Sequence, residues 1–111
     1  MTRSMQSSKL QGISRKGAQR KLMLYGALQN RIRLDAFLLI AESPGIAFND
    51  IAKTFKEDKA LVAYHLGVLK AVKLVKFTYD RKGKASYSSY NLTDLGKKVL
   101  DELCSRDEVT D

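Results

Sequence analysis

One cysteine, one histidine and one proline stand among the 111 residues of this chain. A lone thiol, Cys104, forms no internal disulfide, which points to a reducing, cytoplasmic setting. Cys104 and His65 together fall short of the about four ligands that a thiolate and imidazole metal site needs. No metal and no other cofactor is therefore expected. No Ser/His/Asp or Cys/His/Asn set has motif-like surroundings, and no paired acid and base recur at a working spacing. Gly12, Gly17, Gly26 and Gly45 are scattered and make no phosphate-cradling loop. The chain is thus not expected to be an enzyme. Long apolar runs are missing too: the longest, Ala36 to Ala41, is far below the roughly 20 residues of a membrane helix. The N-terminus lacks the apolar core of a secretory signal, and no internal repeat is found.

Acid is absent from residues 1–21, which carry Arg3, Lys9, Arg15, Lys16, Arg20 and Lys21. A second basic zone spans residues 53–84, and acids dominate residues 94–111. The net charge of +8 is therefore unevenly spread. That asymmetry suits a polyanionic partner.

Residues 1–17 are polar, rich in Ser and Gly, and aperiodic, and are expected to form a flexible basic arm. Residues 18–104 are expected to form one domain with a modest core, followed by an acidic frayed tail at 105–111. The apolar spacing predicts a first helix over 18–28 and a second over 30–42, with Leu34, Phe37, Leu38 and Ala41 as its buried stripe. Pro44 and Gly45 stop that helix. Phe48, Ile51, Ala52 and Phe55 predict a short helix, which Asn49 or Asp50 caps or favours through its N-terminal dipole. "KED" at 56–58 makes a three-residue turn in which Asp58 caps the next helix, about 59–72, whose inward residues are Val62, Leu66 and Leu69. Val75, Phe77 and Tyr79 then alternate with Lys76, Thr78 and Asp80 as a half-buried strand does. "RKGK" turns the chain, and "ASYSSYNL" returns it. Thr93 caps a last helix, 94–104, with Leu95, Val99, Leu100 and Leu103 on one side. A short and a longer helix across a tight turn make a helix-turn-helix, and a hairpin directly after it makes it winged. The expected class is mainly α with a small β-hairpin wing (α+β).

If Val62, Leu66 and Leu69 point inward, then Lys59, Ala60, Ala63, Tyr64, Gly67 and Lys70 point outward. Half of these are Ala or Gly, where a solvated face normally carries Glu, Lys and Gln. A bare face lets another surface approach the backbone. In a major groove the longer Lys59 and Tyr64 reach base edges, and Ala60 or Ala63 meets a thymine methyl. The competing reading packs this face on another helix. Lys53 and Lys56 before the turn, and Arg81, Lys82 and Lys84 at the hairpin tip, frame the face with cations, which favours double-stranded DNA through counterion release. His65 sits beside the inward stripe and is expected to be a partly buried imidazole bonding a backbone group or a DNA phosphate.

"FNDIAKTFKEDKALVAYHLGVLKAVKLV" followed by "YSSYNLTDLGKKVL", and "NRIRLDAFLLIAE" before them, resemble the winged-helix repressors of the ArsR type and their archaeal relatives. The resemblance covers about residues 28–101. It implies a sequence-specific DNA-binding transcriptional regulator, usually dimeric, with Lys59, Ala60, Ala63 and Tyr64 at base-facing positions and Arg81, Lys82 and Lys84 in the wing. The chain departs from the pattern at Lys73, where such proteins usually have Gly, so a different local turn is expected. It also lacks their Cys-x-Cys and Asp/His metal ligands, which speaks against a metal sensor.

The apolar "KLMLYGAL" helix and the last helix are expected to pack across a two-fold axis as a homodimer, rather than merely closing the monomer. The alternative function is a winged-helix adaptor that binds protein or RNA without duplex sequence preference.

Overall fold

Polar side chains mark where the helices begin. In the computed structural model, which describes residues 14–82 and 85–105, with side chains for 14–79 and 88–105, Ser14 Oγ accepts from the Gly17 N–H at 3.0 Å. Helix α1 (Arg15–Ala27) therefore starts at Arg15 rather than Ala18, inside the segment assigned to the arm. A hydroxyl that satisfies a free first-turn donor outweighs the lack of an apolar residue there. Asn30 does the same for α2 (Arg31–Glu42), accepting from the Arg33 N–H at 3.0 Å. Thr93 does so for α5 (Asp94–Cys104), whose bounds match the sequence reading. Asp58 occupies the cap position of α4 (Lys59–Ala71), where its carbonyl accepts from the Leu61 and Val62 N–H groups, but its side chain makes no capping bond. Ala47 is the residue that precedes α3 (Phe48–Thr54), whose first N–H donates to Ser88 Oγ at 3.3 Å, and Asp50 lies in its first turn, the favourable end of the helix dipole for an acid.

The core gathers Phe37 and Ile40 of α2, Ile51 of α3, the inward Val62, Leu66 and Leu69 of α4, and Val99 of α5. Each such side chain contributes about 1.5–3 kcal/mol through burial. In α2 the fully buried residues are Ala36, Phe37 and Ile40, while Leu34, Leu38 and Ala41 pack at the edge of the core. The expected stripe was therefore displaced by a residue. Helix α2 sits in the angle between α4 and β2 (Ala85–Leu92), so it is covered along two lines rather than one.

Strand β1 (Val75–Lys82) pairs antiparallel with β2, from Val75 opposite Leu92 to Lys82 opposite Ala85. The ladder runs through Arg81 and Lys82, so these belong to the strand and not to the turn that "RKGK" suggests. Burial holds only at the base of the hairpin. Val75 is buried, whereas Phe77 is 39% and Tyr79 61% exposed. Alternation marks the two faces of a strand correctly, but this hairpin outruns the body it rests on. Ile46 adds a short antiparallel bridge to Tyr90: the Gly45 N–H donates to the Tyr90 carbonyl, the Tyr90 N–H to the Ile46 carbonyl, both at 2.9 Å. Gly45, at φ +85°, makes the turn that allows it.

The turn after α4 does not depart from the glycine pattern, despite Lys73. Lys73 adopts φ 69°. Its N–H donates to the Lys70 carbonyl and the Leu74 N–H to the Leu69 carbonyl, both at 3.0 Å. This paired arrangement closes the helix end, and the apolar residues Leu69 and Leu74, both buried, clasp across it. The left-handed backbone costs a lysine on the order of 1 kcal/mol. Thr93 Oγ1 donates to the Lys73 carbonyl at 2.6 Å, and the Thr93 N–H to the Leu74 carbonyl at 3.1 Å, so the start of α5 buttresses that turn.

Among the described residues no helix is long and apolar enough to cross a membrane. Residues 1–13 of the arm, Lys84 and residues 106–111 of the tail lie outside the described residues.

Candidate nucleic-acid interface

Four residues, Phe55 to Asp58, join α3 to α4, one more than the sequence suggests, because α3 ends at Thr54 and Phe55 turns extended. Beyond this joint α4 is anchored from one side only. Its inward residues are buried, and Lys59, Ala60, Ala63, Tyr64, Gly67 and Lys70 are all exposed along the other side. Tyr64 is 61% exposed. A methyl group placed on Gly67 would meet no atom of the described residues within 4 Å outside its own helix backbone. None of the chain's described residues covers this face.

Lys53, on α3, and Lys56, in the joint, are also exposed. They stand beside Glu57 and Asp58, so the cationic frame is interrupted there. Arg81 and Lys82 lie on β1 by backbone position, with side chains outside the described set, as is the whole of Lys84. The structure thus brings the six α4 residues together on one face and leaves the wing cations without a described contact. Lys70 has a local partner the sequence did not reveal: its Nζ lies 5.0 Å from the centroid of the Phe77 ring, a cation–π contact between α4 and the base of the wing. Phe77 packs in turn on Tyr90, with ring centroids 5.0 Å apart.

His65 is 5% exposed, and the partner of its ring among the described residues is a side chain rather than the expected backbone group. Arg33 Nη1 lies 3.3 Å from His65 Nδ1, while Arg33 Nε donates to the Ala27 carbonyl at 2.6 Å. A guanidinium can only donate, so this contact is a hydrogen bond when the imidazole is neutral with its proton on Nε2. Burial, and after it the Arg33 charge, hold the imidazole below its ordinary value of 6.5, with Glu57 acting weakly the other way. Arg33 is a functional-looking residue that sequence reasoning missed. Its only signal was a charged residue beside the apolar positions of α2.

At the far edge, α1 and α5 are tied together. Lys21 Nζ lies 2.9 Å from Glu102 Oε2, and Tyr25 donates to Glu102 Oε1. The hydrogen bond from Tyr25, then that from Lys21, lowers the Glu102 carboxyl below its usual value. Next to this cluster Leu22 is 70% and Met23 60% exposed. Among the described residues no three His, Cys, Asp or Glu side chains are grouped to hold a metal ion.

This arrangement, a helix-turn-helix followed by a two-stranded wing and a closing helix, is a winged helix-turn-helix. Solved structures share it. MarR superposes with a TM-score of 0.64 at 21% identity, over 78% of this chain and 62% of that one. HlyU from Vibrio cholerae N16961 superposes with a TM-score of 0.65 at 19% identity, over 83% of this chain and 99% of that one. An ArsR-like transcriptional regulator from Rhodococcus sp. RHA1 gives 0.62 at 15% identity, over 85% and 84%. The chain spans about three-fifths of the length of MarR and somewhat less of the regulator SlyA. No family model matches the sequence, and no curated protein does.

Proposed function

We propose that this protein is a sequence-specific regulator of transcription that binds double-stranded DNA, with α4 in the major groove and the wing on the adjacent backbone or minor groove. The observation that carries the reading is the open outward face of α4: Ala60, Ala63 and Gly67 are uncovered and leave the backbone approachable. Lys59 and Tyr64 are the long side chains on that face, and they are the ones that would reach base edges. Lys53, Lys56, Lys70, Arg81, Lys82 and Lys84 would meet phosphates. Structural neighbours described as transcriptional regulators support the same assignment. A cytoplasmic, non-catalytic role fits it. Selection of bound duplexes from a random pool is expected to enrich one motif. Against that motif Lys59→Ala and Tyr64→Ala should each lose about 1–3 kcal/mol and relax preference at particular base pairs, whereas loss of a phosphate contact weakens all sequences alike. A pool that emerges unenriched would favour the protein- or RNA-binding adaptor.

The protein is further proposed to act as a homodimer through α1 and α5. Leu22 and Met23 on α1, and the partly exposed Leu103 on α5, offer apolar area on a surface that the Lys21–Glu102–Tyr25 cluster holds as one unit. A two-fold pair would set two copies of α4 about one duplex turn, roughly 34 Å, apart. Sedimentation should show a dimer at micromolar concentration that Leu22→Glu dissociates. Monomer alone at high micromolar concentration contradicts it.

A further inference from the structure

Three helices meet at one guanidinium. Arg33 on α2 donates through Nε to the carbonyl of Ala27, the last residue of α1, and through Nη1 to Nδ1 of His65 on α4. The carbonyl end of a helix is a favourable place for a cation, so Arg33 is anchored on its α1 side. His65 is buried, and its ring stands edge-on to Tyr64, one of the exposed residues of the open face, with centroids 5.1 Å apart. The charged and titratable groups that act on His65 are Arg33 from α2, Glu57 from the joint before α4, and Tyr64 from its own helix. From α1 comes a backbone carbonyl, through Arg33.

We infer that His65 makes duplex binding sensitive to pH: proton uptake at Nδ1 turns the contact with Arg33 from a hydrogen bond into a close pair of cations, the imidazolium buried and the guanidinium half-buried, and displaces α4 from its binding position. The inference rests on the duplex-binding reading. The added proton occupies the lone pair that now accepts, so the hydrogen bond is lost in the same event that creates the repulsion. Arg33 cannot lose its proton and is held by Ala27. The imidazole and the helix that carries it are therefore what must move. Tyr64 moves with them, which carries the change to the outward face. His65 is thus a positioning residue for α4 rather than a contact to DNA.

The direction of the pH effect follows from burial. The unfolded chain takes up the proton near 6.5, and the folded chain only at lower pH. Stability from this group is complete above that value and declines as pH falls toward the folded-state value.

The full chain contains a single imidazole, so nitrogen-15 NMR reads His65 without ambiguity. Its titration midpoint should lie below 6.5 and rise toward that value in Arg33→Gln, which keeps donors but removes the charge. Duplex affinity should stay level from about pH 7.5 to about pH 6.5 and fall once pH drops below the imidazole midpoint, reaching about tenfold one pH unit below it. In His65→Asn, which keeps an acceptor near Nδ1 without titrating, affinity should stay flat. Amide signals of Ala27, Leu28 and the Lys59–Ala71 helix should shift with the imidazole midpoint. A midpoint at or above 6.5, or equal pH profiles for the wild type and His65→Asn, overturns the inference. If no duplex binds at any pH, the DNA reading fails by itself. The coupling is then judged on the amide signals: movement with the imidazole upholds the link between His65 and α4, and static signals overturn it.

Discussion

Gly96→Ala is expected to destabilise the protein by about 3 kcal/mol, although alanine is ordinarily the better helix former. Gly96 lies in the first turn of α5, and a Cβ there would overlap the backbone carbonyl oxygen of Leu74 and crowd Leu92. A flexible side chain yields to such a clash, but a carbonyl does not. Leu74 O accepts from the Thr93 N–H, and the neighbouring Lys73 carbonyl accepts from Thr93 Oγ1. The Leu74 N–H is committed to the turn that ends α4. Moving the carbonyl away therefore breaks the α5 cap or loosens the end of α4. The measurement is a urea midpoint with an unchanged m-value for wild type and variant. A variant as stable as wild type would mean that α5 is not seated as described. Because the same contact supports the C-terminal end of α4, duplex affinity should also fall in this variant, in proportion to the loss of structure.

The order of elements could be read from the chain because each signal behind it is local. Period 3.6 in residues 59–71, period 2 from Val75, and Thr93 ahead of "DLGKKVL" need no knowledge of what packs where. Thr93 predicts α5 to the residue because cap chemistry and apolar spacing agree. Agreement fails where a tertiary partner intervenes. Ile46 pairs with Tyr90, far along the chain, and nothing near Ile46 announces a strand. Lys73 takes the conformation of a glycine because Thr93 and the clasp of Leu69 with Leu74 hold it there, so the identity of one residue was a poor guide to the turn. The extra turn at Arg15 depended on one serine hydroxyl.

The candidate site divides in the same way. The outward face of α4 was legible because it is the complement of a strongly apolar stripe, and all six residues assigned to it are exposed. His65 was not legible. Its partner, Arg33, comes from another helix and is fixed by a third, and no pattern within α4 encodes either. Lys70 is on the outward face as the spacing expects, yet it also lies over Phe77 of the wing, which that spacing does not reveal. The partners of His65 and Lys70 lie across element boundaries, where spacing along the chain carries no information.

The central claim, that a duplex seats against the bare side of α4, is tested most directly at Gly67, where fold and function are expected to move in opposite directions. A Cβ at Gly67 meets no described atom within 4 Å outside its own helix backbone, so Gly67→Gln should stabilise the helix by up to about 1 kcal/mol. The same side chain would stand between the backbone and the groove floor. Affinity for the duplex selected from the random pool should fall by about 2–3 kcal/mol, roughly 30- to 150-fold, with stability equal to or above that of wild type. The paired measurement is a thermal or urea unfolding curve beside a duplex titration at fixed salt, since phosphate contacts make affinity depend on salt. A more stable variant that binds far more weakly is the predicted result. Binding at wild-type affinity with Gln at this position would contradict the account, because the face would then be open for some other reason than the seating of DNA.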